Sequence, residues 1–361
     1  MKTRLRIAMI GSGFIAGVHS NAFRQVTHFF DVPYELELKL ICARDAAKLE
    51  RVRSKWGWDE AETDWRRVVD RSDIDVVDIA TPNVLHAPIA IAAAAAGKMV
   101  WCEKPLASSL AEAQKMAAVV AGRPNLVWFN YRHLPAVAFA SELNQQGRVG
   151  QPFHFRSVYL NQSGSDPAKT TGWRYQRSES GSGAAGDLLS HAIDMALYLN
   201  GAIEEINSTL HTFAPGRDVD DAALLWARFA NGSLGSFEAT RYAVGFANSL
   251  QFQLHGSKGM LGFNLDDLNR LDYYDATAEP ALRAPRKITV NGPDHPYWKN
   301  FWKPGHAIGY EHSFIITLGC FLTSLAQGQR FHADFGDALA VQQILDASER
   351  SRGSWVKVGS D

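Results

Sequence analysis

The strongest constraint on the fold lies near the start of the chain. An apolar run at residues 5–10 ends in Gly11-Ser12-Gly13-Phe14-Ile15-Ala16, and helical sequence follows from about Gly17. This is G-x-G-x-x-A in the strand–turn–helix setting of a dinucleotide fingerprint. Gly11 permits a tight turn, Gly13 lets a pyrophosphate approach the backbone, and Ala16 is small enough for close helix–strand packing. The helix N-terminus offers its N–H groups to the phosphates.

The next residues continue the same alternation. Strands are expected at 36–43, 74–80, 99–101 and 126–129, with helices at 46–56, 65–69, 86–97 and 110–120 between them. This recurrent βα pattern predicts a doubly wound parallel sheet over residues 1–130. Beyond Asn130-Tyr131-Arg132 the pattern changes. A helix at 135–146, a strand at 153–160, a Gly/Ser-rich loop at 163–186 and a helix at 187–198 come first. Strands near 206–213, 222–229, 233–241, 250–255 and 260–263 follow, then an aromatic, Pro-rich loop at 293–309 and helices at 311–326 and 335–350. Hairpin-joined strands after a helix indicate an α+β domain on a mostly antiparallel, open sheet. The expected division is a Rossmann domain at 1–130 and a substrate-binding and oligomerisation domain at 131–361, with the last helix packing back on the first domain.

A chain of 361 residues is too long for one ordinary core, which agrees with two domains. A net charge of −1, with no basic block, disfavours nucleic acid and anionic membranes as partners. Three scattered cysteines, Cys42, Cys102 and Cys320, make neither a disulfide framework nor a metal cluster. No apolar run has the length of a membrane span or a signal-peptide core, so a cytoplasmic setting is expected.

Three places carry candidate chemistry. Lys104 follows the strand at 99–101 in Glu103-Lys104-Pro105, at the strand's carboxyl end, where ligands bind open α/β sheets. There it would hydrogen-bond a reacting oxygen; an ordinary turn lysine is the alternative. Asp187, His191 and Asp194 share one helix, and Asp187 and His191, four apart, lie on one face. His191 is the natural base for an alcohol proton near neutral pH, with Asp187 to orient it or to bind a sugar hydroxyl and Asp194 behind it. A capped helix with a core histidine is the bland alternative. At the second strand's end, Ala43-Arg44-Asp45 stands where an acidic residue usually meets the ribose of NAD. Arg44 would face a 2′-phosphate and Asp45 a ribose, so NAD and NADP both stay open. The chain has no H-E-x-x-H or C-x-x-C metal motif.

Taken in order, these motifs resemble the glucose–fructose oxidoreductase / inositol dehydrogenase / MocA (Gfo/Idh/MocA) family across nearly the whole chain. The resemblance is carried by Gly11 to Ala16, Ala80-Thr81-Pro82-Asn83 with His86, Glu103-Lys104-Pro105, Asn130-Tyr131-Arg132, and Gly186-Asp187 with His191 and Asp194. Asp64-Trp65-Arg66 and Gly181-Ser182-Gly183-Ala184 extend it toward the levoglucosan dehydrogenase subgroup, from which Ala43 departs. The resemblance implies an NAD(P)-dependent oxidoreductase that moves a hydride between a secondary hydroxyl of a sugar, anhydrosugar or cyclitol, such as C3, and the nicotinamide. It implies cofactor binding by Gly11, Ser12, Gly13, Phe14, Ile15, Arg44, Thr81, Pro82, Asn83, His86, Glu103 and Lys104. Lys104, His191 and Asp187 would be catalytic. Tyr131, Arg132, Trp173, Arg174, Asp187, His191 and His306 would bind substrate, and no metal is expected. It also implies a cis Lys104-Pro105 peptide, and the open apolar face of the second domain's sheet leads to an expected homodimer or homotetramer. Two other outcomes stay open: a redox-neutral glycosidase or lyase working through a 3-keto intermediate, and a non-catalytic NAD(P)-binding sensor.

Overall fold

The computed structural model describes residues 2–166 and 172–359, so the loop expected at 163–186 falls partly outside the described residues. The chain forms two compact units, Met1–Asn130 with Tyr310–Ala340, and Tyr131–Gly309 with Val341–Asp361.

In the first unit, strands β1 (Thr3–Ile10), β2 (Tyr34–Cys42), β3 (Glu60–Glu62), β4 (Val76–Ile79), β5 (Met99–Cys102) and β6 (Asn125–Val127) form one sheet in the order β3-β2-β1-β4-β5-β6. Every pairing is parallel. Helices α1 (Phe14–Phe29), α2 (Ala46–Trp56), α3 (Trp65–Val69), α4 (His86–Ala95) and α5 (Leu110–Val119) make the crossovers. All four residues of β4 are buried, as expected for a parallel strand covered on both faces. Asp45, Asp64 and Ser109 accept the backbone N–H of Lys48, Arg66 and Glu112, so each following helix starts on a side-chain cap. Asp45 therefore has a local task beside the ribose role expected of it. Helix α1 starts at Phe14, three residues before the expected Gly17, directly behind the glycine turn.

The second unit is built on strands β7 (Pro152–Leu160), β8 (Ile203–His211), β9 (Ala222–Phe229), β10 (Leu234–Thr240), β11 (Ser249–Gly256), β12 (Gly259–Asn264), β13 (Arg270–Asp275), β14 (Arg286–Thr289) and β15 (Val356–Lys357). Their order is β14-β13-β12-β11-β7-β10-β9-β8-β15, antiparallel except for the parallel pair β7/β10. Helices α6 (Pro135–Gln145), α7 (Arg177–Ser180) and α8 (Ser190–Asn200) belong to the same unit. Along β9 burial alternates, with Ala223, Leu225, Ala227 and Phe229 inside and Leu224 and Trp226 exposed. The short strands β3, β13, β14 and β15 were not anticipated. Their residues alternate weakly, and they pair because a neighbouring edge is available.

One boundary differs from expectation. The chain first leaves the Rossmann unit after Asn130, as expected, but residues 310–340 return to it. The returning element is chiefly helix α9 (Tyr310–Gln327) rather than the last helix, α10 (Phe335–Ser351), of which only the part up to Ala340 belongs there. Aromatic packing explains the return. The Phe314 ring lies 5.7 Å from Trp128, and Phe321 lies 5.4 Å from Trp101.

Gly11 adopts φ +136°, and a Cβ there would lie 2.2 Å from the Ala80 carbonyl oxygen. Backbone conformation and space both require glycine at the β1–α1 turn. Gly11→Ala is expected to destabilise the chain by at least about 1–3 kcal/mol, measured as a lower urea midpoint. An unchanged midpoint would show that the turn relaxes freely.

Candidate active site

The first unit presents an anion cradle. Gly13 caps α1 without a side-chain hydrogen bond, and no acidic residue stands in the helix's first turn. A Cβ built on Gly13 meets nothing within 4 Å, so the space before the helix N-terminus is open. An open, positively polarised helix start suits a dinucleotide pyrophosphate. The Phe14 side chain is exposed at its edge. Arg44 is exposed just beyond β2, and Ile15, Thr81 and Pro82 are half-buried. Ser12 is half-buried and Asn83 is buried.

Lys104 sits where β5 ends, before a cis Lys104-Pro105 peptide, as the resemblance implies. Two buried histidines hold this turn. His86, at the start of α4, has Nδ1 3.1 Å from the Pro105 carbonyl and Nε2 3.1 Å from the Thr81 carbonyl, and as a neutral ring it donates to one of them at a time. Burial lowers its pKa, despite those carbonyls and Glu103, so it is a neutral brace. Its side chain is fully buried, so its expected part in cofactor binding becomes indirect. His19, from α1, donates from Nδ1 to Asp78 Oδ2 at 2.8 Å and from Nε2 to Glu103 Oε1 at 3.1 Å. A neutral imidazole can donate only once, so two carboxylate partners require imidazolium. Burial pulls the His19 pKa down most strongly, but Asp78 and Glu103 outweigh it and raise the value to about 9. Trp128 stacks on His19 at 4.1 Å and donates from Nε1 to Asp78 Oδ1 at 2.8 Å. Glu103, expected to bind cofactor, is buried in this network, and its Oε2 accepts the Lys104 backbone N–H at 3.2 Å.

The second unit gathers the polar candidates around an irregular turn. Residues Ala185–Leu189 form a π-helical turn leading into α8. The i→i+5 turn carries Asp187 and ends just before α8, which carries His191. Asp187 Oδ2 accepts from Arg241 Nη2 at 3.0 Å and lies 3.8 Å from Arg174 Nε. Arg241 is itself buried and also donates to the Arg174 carbonyl at 3.1 Å. The half-buried Trp173 carries the Arg174 guanidinium 4.3 Å above its ring. Asp220 fixes the turn, accepting the backbone N–H of Gly183 and of Ala185 at 2.7 Å each. A Cβ on Gly183 would lie 1.7 Å from the Asp220 carbonyl oxygen, so only glycine fits.

His191 is buried with its ring centroid 4.7 Å from Tyr131 and 6.0 Å from Tyr159. The Tyr159 hydroxyl donates to Asn248 Oδ1 at 2.8 Å. Arg132 and Asp194 pair with each other. The Arg132 guanidinium is buried against the Asp194 carboxylate, with Nε at 2.8 Å and Nη2 at 2.6 Å. Asp194 thus ties Arg132 to α8. His306 lies on an exposed loop, with Nδ1 2.9 Å from the Lys303 carbonyl in that same loop. Among the described residues, no group of three or more His, Cys, Asp and Glu side chains could hold a metal ion.

His19, Asp78, Asp220 and Arg241 were missed in the sequence. His19 and Asp78 did leave a signal. His19 falls on the buried stripe of α1 with Ala16, Phe23 and Val26, and Asp78 interrupts a wholly buried strand. Two charged positions inside apolar patterns call for each other.

Comparison with known proteins agrees with this geometry. The model of an oxidoreductase family with an NAD-binding Rossmann fold matches residues 5–131, and that of the GFO/IDH/MocA C-terminal domain matches residues 137–262. Levoglucosan dehydrogenase of Pseudarthrobacter phenanthrenivorans is 38% identical, covering 98% of both chains. The NAD-dependent scyllo-inositol 2-dehydrogenase of Bacillus subtilis is 30% identical over 72% of this chain and 74% of its own. A levoglucosan dehydrogenase structure holding NADH and levoglucosan superposes with a TM-score of 0.95 at 39% identity, over 99% of each chain.

The His19 contact has a pH signature. Its pKa is raised above the ordinary 6.5, so its stabilisation is complete below pH 6.5 and is lost as pH rises through about 9. Thermal melts from pH 6 to 10 are expected to fall more steeply in the wild type than in His19→Gln. Parallel curves would remove His19 as the source.

Proposed function

The chain belongs to the Gfo/Idh/MocA oxidoreductase family, and from that premise we propose that it oxidises a secondary hydroxyl of a sugar, anhydrosugar or cyclitol with NAD or NADP. The observation that carries the reading lies within the first unit. The open helix start behind Gly13 and the braced Lys104 turn both lie at carboxyl ends of strands of one parallel sheet, beyond β1 and β5. Bound there, the nicotinamide would supply a hydride acceptor. The work left to the protein is proton transfer and charge stabilisation. His191 takes the hydroxyl proton, and Lys104 hydrogen-bonds the developing alkoxide. Asp187, fixed by Arg241, accepts a hydrogen bond from a neighbouring substrate hydroxyl. Tyr131, Trp173 and Arg174 supply aromatic and polar surface, which suits a ring with CH faces and a hydroxyl rim. Arg132 and Asp194 act as support, and His306 is the weakest of the substrate candidates.

Purified protein supplied with NAD or NADP and with levoglucosan, glucose, simple glucosides or inositols is expected to form reduced cofactor with one combination. His191→Ala is expected to lower turnover on the order of 10²–10⁴-fold, and Lys104→Met to lower it comparably. An unaltered rate in either variant removes that residue from its role. Aglycone release without net cofactor reduction would replace the dehydrogenase by a redox-neutral glycosidase. Preference for NADP that disappears in Arg44→Ala would assign Arg44 to the 2′-phosphate.

We further propose a cytoplasmic homo-oligomer. The three cysteines are free thiols, as a reducing compartment allows. Exposed Leu224, Trp226 and Leu234 lie on the outward face of the nine-stranded sheet, and apolar sheet surface of this kind favours burial against a second copy. Trp226→Asp is expected to shift the species seen by light scattering toward monomer. Unchanged mass would place any interface elsewhere.

A further inference from the structure

We propose that His19 is a positioning residue for Lys104, acting through Glu103. The proposal rests on the reading of Lys104 as the group that meets the reacting oxygen. Glu103 uses its two oxygens on different partners, with Oε1 on His19 Nε2 at 3.1 Å and Oε2 on the Lys104 backbone N–H at 3.2 Å. Any rotation of the carboxylate that improves one contact disturbs the other. The orientation of the Glu103–Lys104 peptide is therefore tied to an imidazolium that cannot move, because Asp78 grips its other nitrogen at 2.8 Å. The next peptide, Lys104-Pro105, is cis, and His86 braces the Pro105 carbonyl from the far side. Lys104 thus hangs from a turn held before and after it. His19 lies on α1 fewer than two turns beyond Gly13, so one side chain links the helix of the dinucleotide cradle to the lysine turn.

A structural filler would look different. Burying three ionisable groups gains little stability, and apolar packing of the same volume is often as stable or more so. What such a cluster supplies is a fixed geometry. Its surroundings enforce it. His19 meets Asp78 from β4 and Glu103 from the end of β5, with Trp128 stacked on it and Phe23 and Phe314 at 6.3 and 5.5 Å. The other titratable neighbours are Cys102, whose thiol is raised by burial, Glu103 and Asp78, and His86, whose pKa burial lowers. Both are neutral near pH 7, so the charges facing His19 there are the two carboxylates.

The test uses the full chain and the near-isosteric variants His19→Gln and Glu103→Gln. Lys104 is labelled with an acylating reagent with and without NADH, and its modification rate is read by mass spectrometry from pH 7 to 10. The kcat for levoglucosan oxidation and the KM for NAD are measured alongside. Both variants are expected to weaken NADH protection of Lys104 and to lower kcat about 10–100-fold, while KM for NAD stays within a few-fold. Protection in the wild type is expected to decline through about pH 9, an inflection absent from His19→Gln. Folded variants with wild-type protection and kcat would overturn the proposal. So would failure of both to fold, since the network would then serve folding. If the wild type reduces no cofactor with any polyol, the proposed function fails, and the labelling experiment still decides the role of His19.

Discussion

A parallel sheet covered by helices on both faces offers a ligand only the ends of its strands. Chemistry on such a sheet has to stand on turns, and a turn holds a side chain less firmly than a strand does. The first unit meets this constraint with buried side chains that reach the turns from inside the core. His86 lies between the Thr81 and Pro105 carbonyls and donates to one of them, and His19 holds Glu103. The second unit, on a different sheet, reaches the same solution. Its π-helical turn is held by Asp220 at the backbone and by Arg241 at Asp187. In both units one candidate group, Lys104 or Asp187, sits on irregular backbone, and buried polar side chains fix the turn that carries it.

The cost of that solution is desolvation. Removing one partner of a buried pair leaves an uncompensated charge, typically worth about 3–5 kcal/mol. The pairs Arg132–Asp194 and Arg217–Asp221 are nearly inaccessible to solvent, as is His19 with Asp78. The same low-dielectric surroundings act on their neighbours. Burial, and then the charge of Arg132, pushes His133 down to about 3. Charge is therefore concentrated where a partner fixes it, and adjacent titratable groups are left neutral.

Much of the first unit was legible because its signals are local. Gly11 is dictated by the Ala80 carbonyl pressed against the turn, and the helices start on caps a few residues from the chain they organise. The return of α9 was not legible. Its apolar sequence is compatible with any core, and only Phe314 and Phe321 against Trp128 and Trp101 decide which one it joins. The π-helical turn was missed for a similar reason, since residues 185–186 read as loop and 187–189 as ordinary helix. The residue that imposes it, Asp220, lies far along the chain at the entrance to β9.

The candidate groups of the two units were unequally legible, and recognition chemistry explains why. A pyrophosphate is bound by backbone N–H groups at a helix start, so its requirements are steric and fall on consecutive residues, which leaves a readable glycine signature. A polyol is bound by side chains, and those are brought together only by folding. Tyr131, Tyr159, His191 and Asn248 come from separate elements, yet Tyr159 joins the rings of Tyr131 and His191 to the Asn248 amide. Asp187 could be picked out as a candidate, but its partner Arg241 comes from the far end of β10 and nothing in its own segment marks it. Reactive groups are legible by type and position. The contacts that aim them are long-range, and they emerge only when buried charges are matched one by one.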